Sequence, residues 1–153
     1  MSEDARNILS LDETSPSVQA HLGIIQGVVQ RMATNSAGCK TWCITIVSAI
    51  LVVVADKQNP NLAWIAVFPT VLFAALDAYY LALEKGFRNS YNSFIRKLHN
   101  GTLAADDLYS IFSIGSQSRL QFESFKSFSV WGFYLPLIIL AVVVKCIVVG
   151  KIA

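Results

Sequence analysis

The chain has 153 residues, enough for one domain, and is 54% hydrophobic but only 14% charged. A soluble domain carries roughly 25% charged residues, and the deficit here sits in long uncharged stretches separated by ordinary polar segments, which excludes a simple soluble globule. The net charge of +2 is too small to imply wholesale nucleic-acid binding. The three cysteines, Cys39, Cys43 and Cys146, form no CxxC pair. They read as small apolar packing residues rather than redox or metal groups. The expected fold is an all-α membrane protein: three transmembrane helices with an N-terminal amphipathic helix and a cytoplasmic helical extension.

Residues 1–14 are polar and are expected to be flexible. Glu3, Asp4, Asp12 and Glu13 fall within residues 1–17, which lack a basic start and an apolar core and so do not resemble a signal peptide. Ser15-Pro16 is a helix-start signal. Val18, Leu22, Ile25, Val29 and Met32 then form one apolar helical face, giving an amphipathic juxtamembrane helix over residues 15–36. His21, Gln26, Gln30 and Arg31 place it on or just below the membrane rather than in lipid. Gly23 and Gly27, four apart, lie on a different part of its surface, where another helix can approach.

The region 37–84 holds spans one and two. The run from Thr41 to Ala55 is short for a hydrocarbon core that takes roughly 20 residues. Adding Ala37 to Lys40 makes it adequate, with Lys40 snorkelling and Trp42 at the interface. A polar turn at 56–61 leads to a second span from Leu62 to about Leu83, where Pro69 is expected to kink the helix or free a carbonyl. Phe87, Tyr91, Phe94, Ile95 and Leu98 continue the helical stripe, so one helix from Asn61 to Leu98, ~57 Å long, is predicted. It opens the cytoplasmic region 85–127. His99-Asn100-Gly101 ends it. Thr102 then caps a further helix with Asp106 and Asp107 in its early turns and Leu103, Leu108, Ile111 and Phe112 as apolar contacts. Residues 113–127 are rich in Ser and Phe, with a periodicity too weak to assign. The region 128–153 carries span three, from Phe128 to about Val149, with Pro136 inside.

Nine basic residues, Arg6, Arg31, Lys40, Lys85, Arg88, Arg96, Lys97, Arg119 and Lys126, share one side of this topology, against Lys57, Lys145 and Lys151 on the other. The positive-inside rule puts the N-terminus and the 85–127 region in the cytoplasm and the C-terminus across the membrane.

Asp77 is the most informative residue, because a carboxylate at membrane depth is costly and faces a bundle interior, a partner or water. Tyr80 and Glu84 follow at i+3 and i+7. In a symmetric oligomer these three pore or gate candidates would stack acidic rings that attract cations. The alternative is that Asp77 lies near the cytoplasmic boundary and pairs with Arg88, Arg31 or Lys40. Lys85, Arg88, Arg96 and Lys97 lie beside Phe87, Tyr91 and Phe94. This set suits anionic lipid head groups. It also suits a nucleotide or single-stranded nucleic acid, with Arg88, Arg96, Lys97 and Tyr91 as ligand-binding candidates. His21 and His99 stand in separate elements and no cluster has metal spacing, so neither metal nor cofactor is expected. No GxSxG, P-loop or GxGxxG pattern occurs, and the chain does not read as an enzyme.

Two stretches carry a resemblance. HLGIIQGVVQRMATNS over residues 21–36, followed by Lys40-Thr41-Trp42, and the set Asp77-Ala78-Tyr79-Tyr80-Leu81, Glu84, Phe87-Arg88 and Tyr91 resemble a family of small bacterial membrane proteins. That family is identified with the three-span membrane effectors of anti-phage defence, of the Hailong type. The matching positions are His21, Gln26, Arg31, Asn35, Ser36, Asp77, Tyr80, Glu84 and Arg88, whereas Gly23 and Gly27 depart from the bulkier residues of the family. The resemblance implies a homo-oligomeric ion channel in the bacterial inner membrane, with the C-terminus in the periplasm. Its opening would depolarise that membrane, under control of a single-stranded DNA or nucleotide ligand made by a partner nucleotidyltransferase. It also makes His21, Gln26, Arg31, Asn35 and Ser36 candidates for structural polar roles. A chain this small encloses a pore only in several copies, with closed symmetry and a tetramer as the working expectation. A non-conducting scaffold or signalling subunit that recruits a cytosolic partner is the alternative.

Overall fold

A computed structural model describes residues 11–152, and the expectation for residues 1–10 lies outside it. Among the described residues there is no strand. Four α-helices follow in order: α1 (Pro16–Lys57), α2 (Val67–His99), α3 (Gln117–Phe125) and α4 (Phe128–Ile152). Short 3-10 segments cover Pro60–Ala66 and Ala105–Asp107.

The N-terminal boundary of α1 follows the sequence signal. Ser15 is extended and Pro16 opens the first turn. Asp12 Oδ1 accepts hydrogen bonds from the Thr14 amide at 2.9 Å and the Ser15 hydroxyl at 3.0 Å, which closes the turn ahead of the helix. The stretch 15–36 and span one lie on a single helix: α1 is 42 residues long, ~63 Å at 1.5 Å per residue. No proline follows Pro16 within it, and α2 packs along its length, so nothing interrupts the backbone ladder. It ends at Gln58, held in the left-handed region at φ 49°.

The second connection departs from expectation. Asn59 accepts a hydrogen bond from the Asn61 amide at 3.1 Å, and the chain then runs as 3-10 helix to Ala66 before α2 begins. Pro69 thus falls in the first turn of α2, where a backbone N–H has no intrahelical partner anyway, so it introduces no kink within the helix. The helix then runs without a break to His99, as the apolar stripe predicts.

The helix expected after Thr102 is reduced to one 3-10 turn. Leu103 and Leu108 reach into a cluster with Val18, Phe94, Leu22 and Leu98, and satisfying those contacts keeps the chain extended on both sides of the turn. Asp107 accepts from the Ala104 amide at 3.1 Å. The unassigned stretch resolves into an extended connection and α3. The connection lies against α2 at Gly86, whose carbonyl accepts from the Ile114 amide at 3.1 Å. A Cβ at Gly86 would stand 1.9 Å from Ser113 Oγ and 3.0 Å from Ser113 Cβ. Any side chain at position 86 would have to displace Ser113.

α1, α2 with its 3-10 lead-in, and α4 are each long and apolar enough to cross a membrane, each containing an 18-residue stretch whose mean hydropathy is 2.0, 1.7 and 2.5 respectively. The apolar part of α1 is its second half, from about residue 37. There the three helices form a bundle around Cys43, Val47, Leu51, Ala78, Val130, Tyr134, Leu137 and Ala141. At its far end Val54, Ala63 and Val148 close it. Toward the other end α4 stops, and the first half of α1 and second half of α2 continue as a two-helix hairpin covered by residues 103–125.

Candidate functional site

Where the three-helix bundle gives way to the hairpin, it holds a buried ion pair. Asp77 on α2 has no exposed surface, and its Oδ2 lies 2.5 Å from Lys40 Nζ on α1, whose side chain is 22% exposed. The other oxygen, Oδ1, accepts from the Ser36 hydroxyl one turn earlier on α1. Lys40 Nζ also reaches that hydroxyl oxygen at 3.5 Å. Tyr134 of α4 stands beside the same carboxylate, its hydroxyl buried without a hydrogen-bond partner among the described residues. Of the three cations weighed from sequence, Lys40 is the partner. Ser36 and Lys40 are one turn apart on α1, so both donors reach one carboxylate.

The other two residues of the acidic face lie nearby. Tyr80 is half-buried, its ring 5.7 Å from that of Tyr79. Glu84 is only 12% exposed and bonds Arg88 Nη2 at 2.7 Å. Asp77 and Glu84 therefore neutralise cations of the same protomer.

Among the described residues the opposite face of α1 is unpartnered. Gln30, Thr34, Ala37, Thr41, Thr45, Ser48 and Val52 recur at three- and four-residue steps and are all exposed. Gly23 and Gly27 extend the line toward the N-terminus, with open space where a Cβ would project. The hydroxyls of Thr34, Thr41 and Thr45 donate to the carbonyls of Gln30, Ala37 and Thr41 at 2.9, 3.2 and 2.8 Å. With the proton held by the backbone, each threonine turns only oxygen lone pairs outward. This stripe escaped the sequence reading, which weighed charge and overlooked hydroxyls at helical spacing, although Gly23 and Gly27 marked its start.

The basic-aromatic set does not form one site. Arg88 and Tyr91 line an open groove between α1 and α2 with Gln26, Val29, Gln30 and Asn92, and Gln26 Nε2 donates to the Tyr91 hydroxyl at 3.5 Å. Lys97 points elsewhere, into an ion pair with Asp107 at 2.6 Å. Arg96 is exposed on α2, Arg31 is exposed on α1, and Asn35 is half-buried there.

His21, outside the apolar half of α1, is 1% exposed. Its Nδ1 accepts the Tyr109 amide proton at 2.8 Å, and its ring lies 4.3 Å from that of Phe94. Tyr109 is held at φ 62°, a left-handed conformation unusual for a tyrosine. Burial pushes the His21 pKa below its ordinary value of 6.5, against an opposing pull from Asp107. The Lys97 hydrogen bond and the Ala104 amide hold the Asp107 carboxyl below the usual range. Among the described residues no group of three His, Cys, Asp or Glu side chains is placed to hold a metal ion.

No protein-family model, curated protein or solved structure matches this chain.

Proposed function

We propose that this protein is a membrane effector that assembles into a homo-oligomeric ion channel, with the exposed hydroxyl and glycine stripe of α1 facing the conduit. The stripe is the observation that supports the reading best. Small residues let helix backbones approach closely in a bilayer, and rows of oxygen acceptors replace part of a cation's hydration shell. Asp77 has a different role in this scheme: paired with Lys40, it clamps α1 to α2 near the cytoplasmic mouth. The distribution of basic residues supports a cytoplasmic N-terminus. The resemblance to anti-phage effectors supplies the biological setting, depolarisation of the bacterial inner membrane. The groove of Arg88, Tyr91, Gln26, Gln30 and Asn92 offers a guanidinium already paired with Glu84, a ring to stack on and several amides as a place for a nucleotide or single-stranded DNA ligand. Four copies would close the ring. The second reading, a non-conducting scaffold that recruits a cytosolic partner, is favoured by the internal satisfaction of the threonine hydroxyls, which lets the stripe face lipid.

Conductance recording on the purified protein in planar bilayers separates the two. In a background with Cys39, Cys43 and Cys146 replaced by alanine, cysteines at Thr41, Thr45 and Ser48 should each render the current sensitive to a cationic thiol reagent. Cysteines at Ile46 and Val53, flanking the stripe, should not. A silent bilayer, or block without this periodicity, sinks the channel lined by α1.

A further inference from the structure

The short helix α3 has two faces. Leu120 and Ser124 are buried, and Leu120 reaches toward Gly86 of α2 and Gly115. The other face presents Phe122 and Phe125, 61% and 43% exposed. Immediately after the corner into α4, Phe128 and Trp131 are 73% and 48% exposed. Among the described residues no element packs over these four aromatic side chains, which follow one another at three-residue steps.

The corner fixes their place relative to the apolar helix α4. Lys126 and Ser127 donate backbone hydrogen bonds to Phe122 and Ser124 at 3.2 and 3.0 Å, and Val130 and Trp131 donate to the Ser127 carbonyl at 3.0 and 3.3 Å. Helix α3 is thereby held at the first turn of α4, the most apolar of the three long helices, at the depth where an apolar span meets a polar surface. The exposed ring of Phe128 continues along α4 into Leu135 and Ile139, 48% and 53% exposed, so the aromatic patch is an extension of the surface that α4 offers to lipid.

Cations border the patch on one edge of α3. Lys126 Nζ stands 4.3 Å from the centroid of the Phe122 ring. Arg119 Nε bonds Glu123 at 2.9 Å, which leaves Lys126 as the cation of α3 without a carboxylate partner on that helix. Aromatic rings at the head-group level with a lysine reaching past them is the chemistry of a membrane interface.

We propose that α3 is a membrane-surface anchor: Phe122, Phe125, Phe128 and Trp131 seat in the head-group boundary of an anionic leaflet, and Lys126 contacts lipid phosphate. The anchor ties the extended connection at Gly86, and through it α2, to the bilayer surface. It operates whether or not the protein conducts.

The test uses the full chain reconstituted in vesicles, with Cys39, Cys43 and Cys146 replaced by alanine and an environment-sensitive fluorophore attached through Phe122→Cys. A second protein carries it at position 125, in case either site disturbs folding. Both labels should emit to the blue and be quenched by lipids brominated near the head group. One unpaired cation near an anionic surface enriches anionic lipid about fivefold. Brominated phosphatidylglycerol should therefore quench more strongly than brominated phosphatidylcholine. Lys126→Gln should abolish that preference while leaving the quenching itself. Labels quenched by aqueous iodide instead would overturn the anchor. Labels shielded from both quenchers would mean that a second copy of the chain covers α3, and would overturn it equally. Preference for phosphatidylglycerol that survives Lys126→Gln would remove the lysine from the proposal.

Discussion

The Lys40–Asp77 pair makes an unequal prediction for its two halves. Lys40→Met leaves a carboxylate that has no exposed surface and keeps only the Ser36 hydroxyl. Breaking a buried pair so that one charge stays behind costs about 3–5 kcal/mol. Asp77→Asn leaves the ammonium instead, but the lysine side chain is already 22% exposed and its long stem lets it swing to water. The loss is then one of charge-assisted hydrogen bonds, about 1.5–3 kcal/mol. Replacing both partners, Lys40→Met with Asp77→Leu, removes both desolvated charges and should return stability to within ~1 kcal/mol of the original protein or above it. Reversible unfolding in mixed micelles with increasing dodecyl sulfate measures all three, with oligomer size followed in parallel. The coupling between the two sites should be strongly non-additive. If Asp77→Asn costs as much as Lys40→Met, or the double variant loses the sum of the single losses, the pair is not the clamp between α1 and α2.

Three further outcomes follow from the same geometry. The fold needs His21 neutral at Nδ1, and burial puts its pKa below 6.5, so its stabilisation is present above pH 6.5 and is lost as pH falls through the folded value. Hydrogen exchange at the Tyr109 amide, taken relative to the intrinsic rate, should accelerate over that fall and be fast at every pH in His21→Phe. Asp107, held below its ordinary 3.8, loses its contribution at still lower pH. A change of Gly86→Val forces a branched side chain into Ser113 and should cost about 1–3 kcal/mol; Gly86→Ala with Ser113→Gly should recover native stability, measured in the same micelles. A reporter after Ala153 and one inserted at Gly101 should lie on opposite sides of the membrane, and finding both on one side would remove the three-span topology.

The long-range plan was legible because membrane helices are specified by length and hydropathy, and by little else. The start of α1 at Ser15-Pro16, the unbroken run of α2 to His99 and the start of α4 at Phe128 all follow from caps and apolar runs. Continuity between residues 36 and 37 was harder to see, since composition changes there while the backbone does not. The segment after Thr102 misled for another reason: Leu103 and Leu108 fit a helical pattern, but their partners are Val18 and Phe94 on other helices, a tertiary constraint that no local spacing encodes. Asp77 was recognised as costly in lipid, and Lys40 was among its possible partners. Choosing among three cations required the register of α1 against α2, fixed by packing. Lys97 and Arg88 stand nine residues apart on a helix, two and a half turns, so helical spacing alone sets them on opposite faces, and grouping them by charge and nearness in sequence hid this.

The 42-residue length of α1 makes it a rigid lever with its fulcrum near the Lys40–Asp77 pair. Pro16 lies 24 residues before Lys40, an arm of ~36 Å. A tilt of ~5° about the fulcrum displaces the N-terminal end by ~3 Å and the opposite end, ~26 Å away at Lys57, by ~2 Å in the other direction. Force applied at the polar end is thus delivered, without a hinge to absorb it, to the apolar half of the same helix.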